Sequence, residues 1–346
     1  FGDLLEHFAG DAESHAILIY MEALANAAKF ISAARRAARV KPVIVVKSGR
    51  HEAGARAALS HTGALAGSDA AYDAAFRRTG LLRVRTLPDM FAAAEVLARR
   101  PKLNGERLAV LTNGGGAGVL AVDELQDAGG ILAKLDPETK AKLDAALPSG
   151  WSGANPVDIV GDAGPDRYRI ALNALLADKS ADAILVIQCP TALADPLANA
   201  QAVMSEYGAQ KRDGAALKPL LTCWLGEGSA HASRALFAKD KVPTFETPSD
   251  AITGFMQLVR YARGQQELIQ TPDAGPVYDD KDASEVARII AGVRASGRTM
   301  LNAIEAKAVF AAEGIPVAQT IVARDATEVK QAATRILTQN AAYAIK

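Results

Sequence analysis

One of the five histidines, His61, lies in a stretch of small residues that could support catalysis. The stretch reads Ser60-His61-Thr62-Gly63-Ala64-Leu65-Ala66-Gly67 and belongs to a glycine-rich loop, 48–67, that follows an apolar segment. A neutral imidazole is nucleophilic near pH 7. Lone loop histidines are more often solvated structural residues, but this one follows a predicted parallel strand, at the edge where open α/β sheets bind ligands. We therefore treat His61 as a candidate nucleophile.

Glu22 is the candidate partner of His61. It ends the apolar run Ile19-Tyr20-Met21, and one predicted crossover helix separates this strand from the strand before the His61 loop. The two strands are then parallel neighbours, so a carboxylate–imidazole pair can form that fixes the imidazole tautomer and steadies its cation. The alternative is that Glu22 only caps the next helix. Lys47, Arg50 and Arg56 flank the loop and could screen an anionic substrate, although such side chains are more often solvated.

A second candidate is the glycine loop 112–118, between a predicted strand and a predicted helix. Backbone N–H groups at such a helix start bind anions, and glycine permits close approach. The loop lacks the Lys-Ser or Lys-Thr of a nucleotide P-loop and departs from GxGxxG. It therefore predicts phosphate binding without a nucleotide, with tight strand–helix packing as the alternative explanation of its glycines. The predicted phosphate-binding residues are Thr112, Asn113, Gly114, Gly115 and Gly116.

These residues need a scaffold of parallel strands and helices. Apolar strands at 16–20 and 42–46 enclose a helix at 26–40, which is typical of a sheet covered on both faces. Asn155-Pro156-Val157-Asp158 has the composition of a turn. Further predicted strands are 82–84, 107–111, 183–187, 217–223, 242–245, 317–322 and 343–346, and further helices are 68–79, 88–99, 119–128, 283–296, 301–313 and 326–337.

The fold class is accordingly α/β, with two doubly wound flavodoxin-like domains and the start of a third domain. We place the first domain at 1–104, the second at 105–264, a polar linker at 265–282 and the third domain at 283–346. Both chain ends fall inside predicted elements, so we expect the interior of a longer protein, with the N-terminal part of the first domain missing.

Composition excludes several functional classes. Lys+Arg and Asp+Glu both number 39, so there is no basic footprint for nucleic acid or an anionic membrane. No signal peptide or apolar run long enough for a membrane span is present, and neither cysteine has metal-ligand or disulfide spacing. We expect a cytoplasmic protein with Cys189 and Cys223 in the core.

Together the segments resemble the NDP-forming acyl-CoA synthetases, the family of ADP-forming acetyl-CoA synthetase and, more distantly, succinyl-CoA synthetase. The specific parts are Tyr20-Met21-Glu22, the 41–50 segment, the 60–69 segment, Thr112-Asn113-Gly114-Gly115 and Asn155-Pro156-Val157-Asp158. The resemblance covers nearly the whole chain. It implies that both flavodoxin-like domains are succinyl-CoA synthetase-like and that the tail begins an ATP-grasp domain.

The resemblance also implies an activity. In that family the histidine matching His61 is phosphorylated, the glutamate matching Glu22 contacts it, and a nucleotide-binding lysine falls where Lys346 lies. The implied reaction interconverts acyl-CoA, ADP and phosphate with carboxylic acid, CoA and ATP through acyl phosphate and phosphohistidine. ATP/ADP and coenzyme A are the implied cofactors, with nucleotide-associated Mg²⁺ bound outside this chain and no metal at His61. A homo-oligomer or αβ assembly is implied.

Two other functions stay open from the sequence. Some bacterial protein lysine acetyltransferases carry a synthetase-like region as an acyl-CoA sensor, and in that group the histidine is often replaced, whereas His61 is present here. The other is a CoA- or phosphate-binding scaffold without chemistry.

Overall fold

Two parallel sheets organise the first 270 residues. The computed structural model describes residues 1–54, 56, 68–99, 101–212, 217–269, 280–318 and 320–337. The chain divides into two compact units, Phe1–Gln270 and Thr271–Lys346. The α/β class predicted from the sequence is confirmed.

The first sheet has three parallel strands with β2 in the middle. Register pairs place Ile17 beside Val43 and Ile44 beside Leu82. All five residues of β2 are buried, because helices cover both faces. Its elements are α1 (Gly2–Gly10), β1 (Ile17–Met21), α2 (Ala27–Val40), β2 (Val43–Lys47), α3 (Asp69–Thr79), β3 (Leu82–Val84) and α4 (Leu87–Leu97).

The second sheet is parallel and centred on β4. The strand order is β5-β4-β7-β8-β9, and β6 pairs with the end of β4 through Leu111 and Val157. Its elements are β4 (Arg107–Thr112), α5 (Gly115–Asp127), β5 (Ile131–Leu132), α6 (Pro137–Ala146), β6 (Val157–Asp158), α7 (Pro165–Ala177), β7 (Ala183–Gln188), α8 (Pro196–Arg212), β8 (Leu220–Trp224), α9 (His231–Lys239), β9 (Thr244–Phe245) and α10 (Pro248–Ile269).

One hydrophobic core joins the two sheets. Val46 of β2 and Met90 of α4 belong to the same buried cluster as Val110 of β4 and Phe255 of α10. Leu268, near the end of α10, is buried in the cluster on the opposite face of the first sheet. This cluster therefore packs the segments on either side of residue 104 against each other.

Strands β1, β8 and β9 start at one cavity. It is lined by residues 12, 14 and 15, which precede β1, and by Pro219 and Pro243, which precede β8 and β9. The strands of both sheets therefore lead away from this cavity, toward the carboxyl edges where the His61 loop and the glycine loop begin.

Helices extend into both ends of the linker predicted at 265–282. Residues 265–269 continue α10, because Leu268 anchors this last turn in the core. Residues 280–282 already belong to α11 (Asp280–Ala295).

The second unit is helical over its described residues. After α11 come α12 (Ala303–Ala312) and α13 (Ala326–Leu337). The strand predicted at 317–322 is wrong for the described residues of that range, where Val317 and Val322 are exposed and no ladder forms. A strand needs a paired neighbour, and none of the described residues supplies one. The strand predicted at 343–346, with Lys346, lies outside the described residues.

Candidate functional site

The glycine loop begins at the carboxyl end of the central strand. Thr112, the last residue of β4, lies between Asp158 of β6 and Ile187 of β7 and is fully buried. Its Oγ1 accepts a hydrogen bond from the Gly114 amide at 3.0 Å and lies 3.2 Å from the Gly114 carbonyl oxygen. Thr112 therefore fixes the turn that leads into α5, and its hydroxyl is occupied by the loop's own backbone.

The side chain of Asn113 hydrogen-bonds the glycine loop to Cys189, the residue after β7. Its Oδ1 accepts from the Cys189 amide at 2.7 Å, and its Nδ2 donates to the Cys189 carbonyl at 3.0 Å. The residue is 1% exposed. Both polar atoms of this side chain are used by the protein itself, so Asn113 acts by positioning the backbone that follows it.

The next three glycines have different surroundings. A Cβ on Gly114 would lie 2.5 Å from Cys189 Sγ, and one on Gly115 would lie 2.8 Å from Asp158 Oδ2, so packing alone accounts for glycine at both positions. A Cβ on Gly116 would meet no atom within 4 Å. No described contact requires glycine at position 116, which is exposed to solvent.

The start of α5 presents unpaired amide donors. Gly114 is its N-cap and has no side chain to accept them, and the first intrahelical bonds run from Ala117 and Gly118 to the Gly114 carbonyl, at 3.1 and 3.2 Å. The amides of Gly115 and Gly116 precede these bonds and have no partner within the helix. Such donors, with the positive end of the helix dipole, form an anion site. We call residues Gly114–Gly116 the amide cradle.

Asp158 brings a carboxylate to the amide cradle. Its Oδ1 accepts from the Val160 amide at 2.9 Å, while its Oδ2 faces Gly115. A carboxylate is favourable at a helix start but repels an incoming anion. The sequence predicts Asp158 as a turn residue and as part of the family resemblance, but it does not predict a carboxylate at the helix start.

Asn155 supports the interpretation of its segment as structural. Its Oδ1 accepts from the Val110 amide at 2.9 Å, and its Nδ2 donates to the carbonyls of Leu108 and Ala133 at 3.0 and 2.8 Å. The bond to Pro156 is cis. One amide side chain thus links β4 to the residue after β5 and fixes where β6 begins.

Glu22 lies at the carboxyl edge of the first sheet. Met21 pairs with Lys47 across β1 and β2, and the Ser48 amide donates to the Met21 carbonyl at 3.0 Å. Glu22 and the start of the His61 loop therefore emerge side by side, as expected. The helix that follows is capped by Asn26, whose Oδ1 accepts from the Lys29 amide at 2.9 Å. The alternative that Glu22 is this cap is wrong. His61 lies outside the described residues, so the Glu22–His61 pair stays a prediction.

Lys47, at the same edge of the first sheet, is buried, which was not expected from the sequence. Lys47 is 2% exposed, donates to the Ser48 carbonyl and lies 4.8 Å from the centre of the Tyr72 ring. Burial is the main cause that lowers its pKa, and the carboxylates of Asp69 and Glu22 oppose this shift. The expectation that Lys47 is solvated is wrong. A lysine ending an otherwise apolar strand, Val-Ile-Val-Val-Lys, was the signal.

An ion-pair cluster holds the far end of the His61 loop. Asp69, in the first turn of α3, accepts from Arg83 at 2.5 Å, and Asp73 accepts from the same guanidinium at 3.2 Å. The Arg83 side chain is 16% exposed, so solvent weakens these pairs little. Lys47 and Asp69 thus fix both ends of the segment that carries His61.

The two cysteines differ in burial. Burial raises the pKa of Cys223 to about 12, as expected of a core thiol. Cys189 is only half-buried, packed over Gly114, so its assignment to the core holds in part.

Among the described residues, no cluster of His, Cys, Asp or Glu is placed to hold a metal ion. The described helices include none that is long and apolar enough to cross a membrane.

Three family models match the chain in succession. The succinyl-CoA ligase like flavodoxin domain matches residues 1–97, the ligase-CoA domain matches 108–268, and an ATP-grasp domain matches 292–346.

Curated and solved proteins agree with these matches. The chain is 36% identical over 96% of its length to the ADP-forming acetate–CoA ligase I of Archaeoglobus fulgidus, covering 46% of that protein. It is 37% identical over 75% of its length to the alpha subunit of ADP-forming acetate–CoA ligase I of Pyrococcus furiosus, covering 55% of it. A solved acetyl-coenzyme A synthetase 1 from Candidatus Korarchaeum cryptofilum, in complex with phosphate and ADP, superposes with a TM-score of 0.70 at 37% identity, over 78% of this chain and 57% of that one. The chain thus spans about half the length of these curated relatives.

Proposed function

Since the chain belongs to the NDP-forming acyl-CoA synthetase family, we propose that it is the phosphoryl-transfer part of an ADP-forming acid–CoA ligase. The observation that carries this proposal is the pair of carboxyl edges in one unit. One edge bears Glu22, Lys47 and the His61 loop, and the other bears the amide cradle. Strands of both sheets lead from a common cavity toward these edges.

The proposed reaction has three balanced steps in the whole protein. Phosphate attacks the acyl carbon of acyl-CoA, which expels CoA and forms acyl phosphate. The imidazole of His61 then attacks the phosphorus and expels the carboxylic acid as its anion. Finally ADP takes the phosphoryl group from phosphohistidine, which gives ATP and frees the imidazole.

The described residues have separate tasks in this sequence. Glu22 would hold the imidazole tautomer and steady the positive charge that develops on the ring. The amides of Gly115 and Gly116 would bind the phosphoryl oxygens, each a charge-assisted hydrogen bond of roughly 1.5–3 kcal/mol. Thr112 and Asn113 act one step away, since their side chains hold the loop.

The nucleotide, coenzyme A and Mg²⁺ belong to the proposal for the whole protein. The nucleotide complex of the Korarchaeum synthetase and the ATP-grasp match at 292–346 support ATP/ADP as substrates. Lys346 as a nucleotide ligand, and the boundaries at 104, 264 and 282, stay predictions. The alternative of an acyl-CoA-sensing region of an acetyltransferase is not favoured, because the named relatives are ligases.

The proposal includes the assembly and the location of the protein. The match to an alpha subunit supports an αβ assembly, with a homo-oligomer as the other form. We expect small-molecule acyl-CoA, phosphate and nucleotide as the ligands, in a reducing cytoplasm, where the two free cysteines would stay unpaired.

The test is phosphorylation of the whole protein with radiolabelled ATP. We expect acid-labile label on the wild type and none on His61→Asn. The variant should keep the thermal stability of the wild type. Label that persists at the same level in this variant would refute the assignment of His61.

A further inference from the structure

The cavity at the amino ends of the strands has the size of a ligand site. Its volume is about 680 Å³, within the usual range of roughly 300–1,000 Å³ for small-molecule pockets. It lies at the edge opposite the amide cradle, so it is not part of the phosphoryl-transfer site proposed above.

Part of its lining is apolar and fixed. Leu221 of β8 and Val242 are buried and line it. Tyr207 of α8 adds an aromatic ring, and its hydroxyl donates to the Lys218 carbonyl at 3.0 Å, which holds the ring in place. This surface suits a flat, weakly polar group of a ligand.

Lys241 stands at the cavity in a conformation that lysine rarely adopts. Its φ is +58°, just beyond the end of α9, and its amide donates to the Ala238 carbonyl at 3.1 Å. Glycine is the usual residue at this left-handed position after a helix, because a Cβ is unfavourable there. A strained residue of a different type at a pocket wall points to a task for its side chain.

Arg99 supplies a second observation. Its Nη1 donates to Glu95 Oε1 at 2.8 Å, but its buried Nε has no hydrogen-bond acceptor among the described residues. Lys102 lines the same cavity, and Asp240 is the carboxylate among the described lining residues. Three cationic residues and one carboxylate are therefore among the described residues that line the cavity.

We propose that this cavity binds a nucleoside phosphate, with the ring against Tyr207, Leu221 and Val242 and the phosphate among the cationic residues Lys241, Lys102 and Arg99. Inorganic phosphate needs neither the apolar wall nor this volume. The cavity is separate from the amide cradle, so the proposal does not depend on the proposed activity.

The test measures binding of AMP to the 346-residue chain by titration calorimetry, with pyrophosphate as the competing probe. Lys241→Gly is the informative variant, because it removes the cation and also relieves the strained backbone. We expect its thermal midpoint to rise while its affinity for AMP falls at least about tenfold, since a charge-assisted contact is lost. A loss of binding then cannot be attributed to unfolding. Arg99→Lys keeps the positive charge but removes the planar guanidinium that lines the cavity, and it should also weaken binding.

Two controls define the site. Lys134→Met removes an exposed lysine that does not line the cavity, and Gly264→Val adds a side chain in open space on α10, so both should bind AMP like the wild type. Unchanged AMP affinity in Lys241→Gly and Arg99→Lys, or no measurable binding by the wild type, would overturn the site. Pyrophosphate binding as tightly as AMP would overturn the nucleoside assignment.

Discussion

Gly116→Val isolates the function of the amide cradle from its packing. A Cβ at this position meets no atom within 4 Å, so the substitution causes no internal clash at that atom. In contrast, a Cβ on Gly115 would collide with the Asp158 carboxylate at 2.8 Å. Only at position 116 does an added side chain chiefly obstruct a ligand that approaches the amides.

Gly116→Val should leave the stability of the protein unchanged or slightly higher, but it should slow phosphorylation. Valine has a higher helix propensity than glycine, so the free energy of unfolding should rise by a few tenths of a kcal/mol or stay unchanged. Loss of one charge-assisted hydrogen bond to the phosphoryl group costs roughly 1.5–3 kcal/mol. If that bond forms only in the transition state, phosphorylation should slow by about 10- to 150-fold.

The assay is rapid-quench labelling of the whole protein from radiolabelled ATP, alongside thermal unfolding of the same preparations. Gly264→Val is the matched control, because this glycine also has open space around it but lies in α10, away from the amide cradle. The control should phosphorylate at the wild-type rate. If Gly116→Val does so as well, the amides do not bind the phosphoryl group and the glycines serve packing only.

Three further substitutions test separate parts of the structure. Glu22→Gln should slow His61 phosphorylation about tenfold without lowering the thermal midpoint, and an unchanged rate would refute the carboxylate–imidazole pair. Lys47→Met should slow phosphorylation yet raise the thermal midpoint near neutral pH. Burial lowers the folded-state pKa of Lys47, so between that pKa and the usual 10.5 the unfolded chain binds more protons and wild-type stability rises with pH. The variant should lose this rise, and an identical pH profile of unfolding would contradict the buried cation. Asn155→Ala leaves the Val110 amide and the Leu108 and Ala133 carbonyls without their partner, so urea unfolding should show a loss of about 2–5 kcal/mol; a loss below 0.5 kcal/mol would show that water replaces the side chain.

Seven of the nine described strands could be predicted because their residues are mostly apolar, whereas the two-residue strands Ile131–Leu132 and Val157–Asp158 were not predicted. Val43–Lys47 is shifted by one residue from the predicted range 42–46, and Arg107–Thr112 extends one residue beyond the predicted range 107–111. Helix α5 starts at Gly115, four residues before the predicted start at Val119, because glycine has a poor helix propensity and only tertiary packing reveals the extra turn. The wrong strand at 317–322 had suitable β-branched residues but no described partner strand to pair with.

The sequence predicted which residues lie at the candidate site, but it did not predict what each of them contacts. Glycines at 114 and 115 suggested ligand access, whereas the structure shows that Cys189 and Asp158 already require them. The pairing of Asn113 with Cys189 spans 76 positions, and no local pattern encodes such a contact. Burial of Lys47 was likewise hidden, since it depends on Tyr72 and Asp69 from the helix beyond the loop.

The charge of Asp158 affects the proposed binding of a phosphoryl group at the amide cradle. A phosphoryl group carries close to two negative charges, and a carboxylate next to Gly115 repels it. The two amides and the helix dipole offset this repulsion only in part, because the dipole acts as about half a positive charge. In the proposed function, the bound phosphoryl group therefore needs a further cation, and Lys47 of the first sheet is our candidate. Lys47 is buried at the carboxyl edge where the His61 loop begins, and burial makes its charged form costly. We expect an anionic phosphohistidine to offset that cost together with the carboxylates of Asp69 and Glu22.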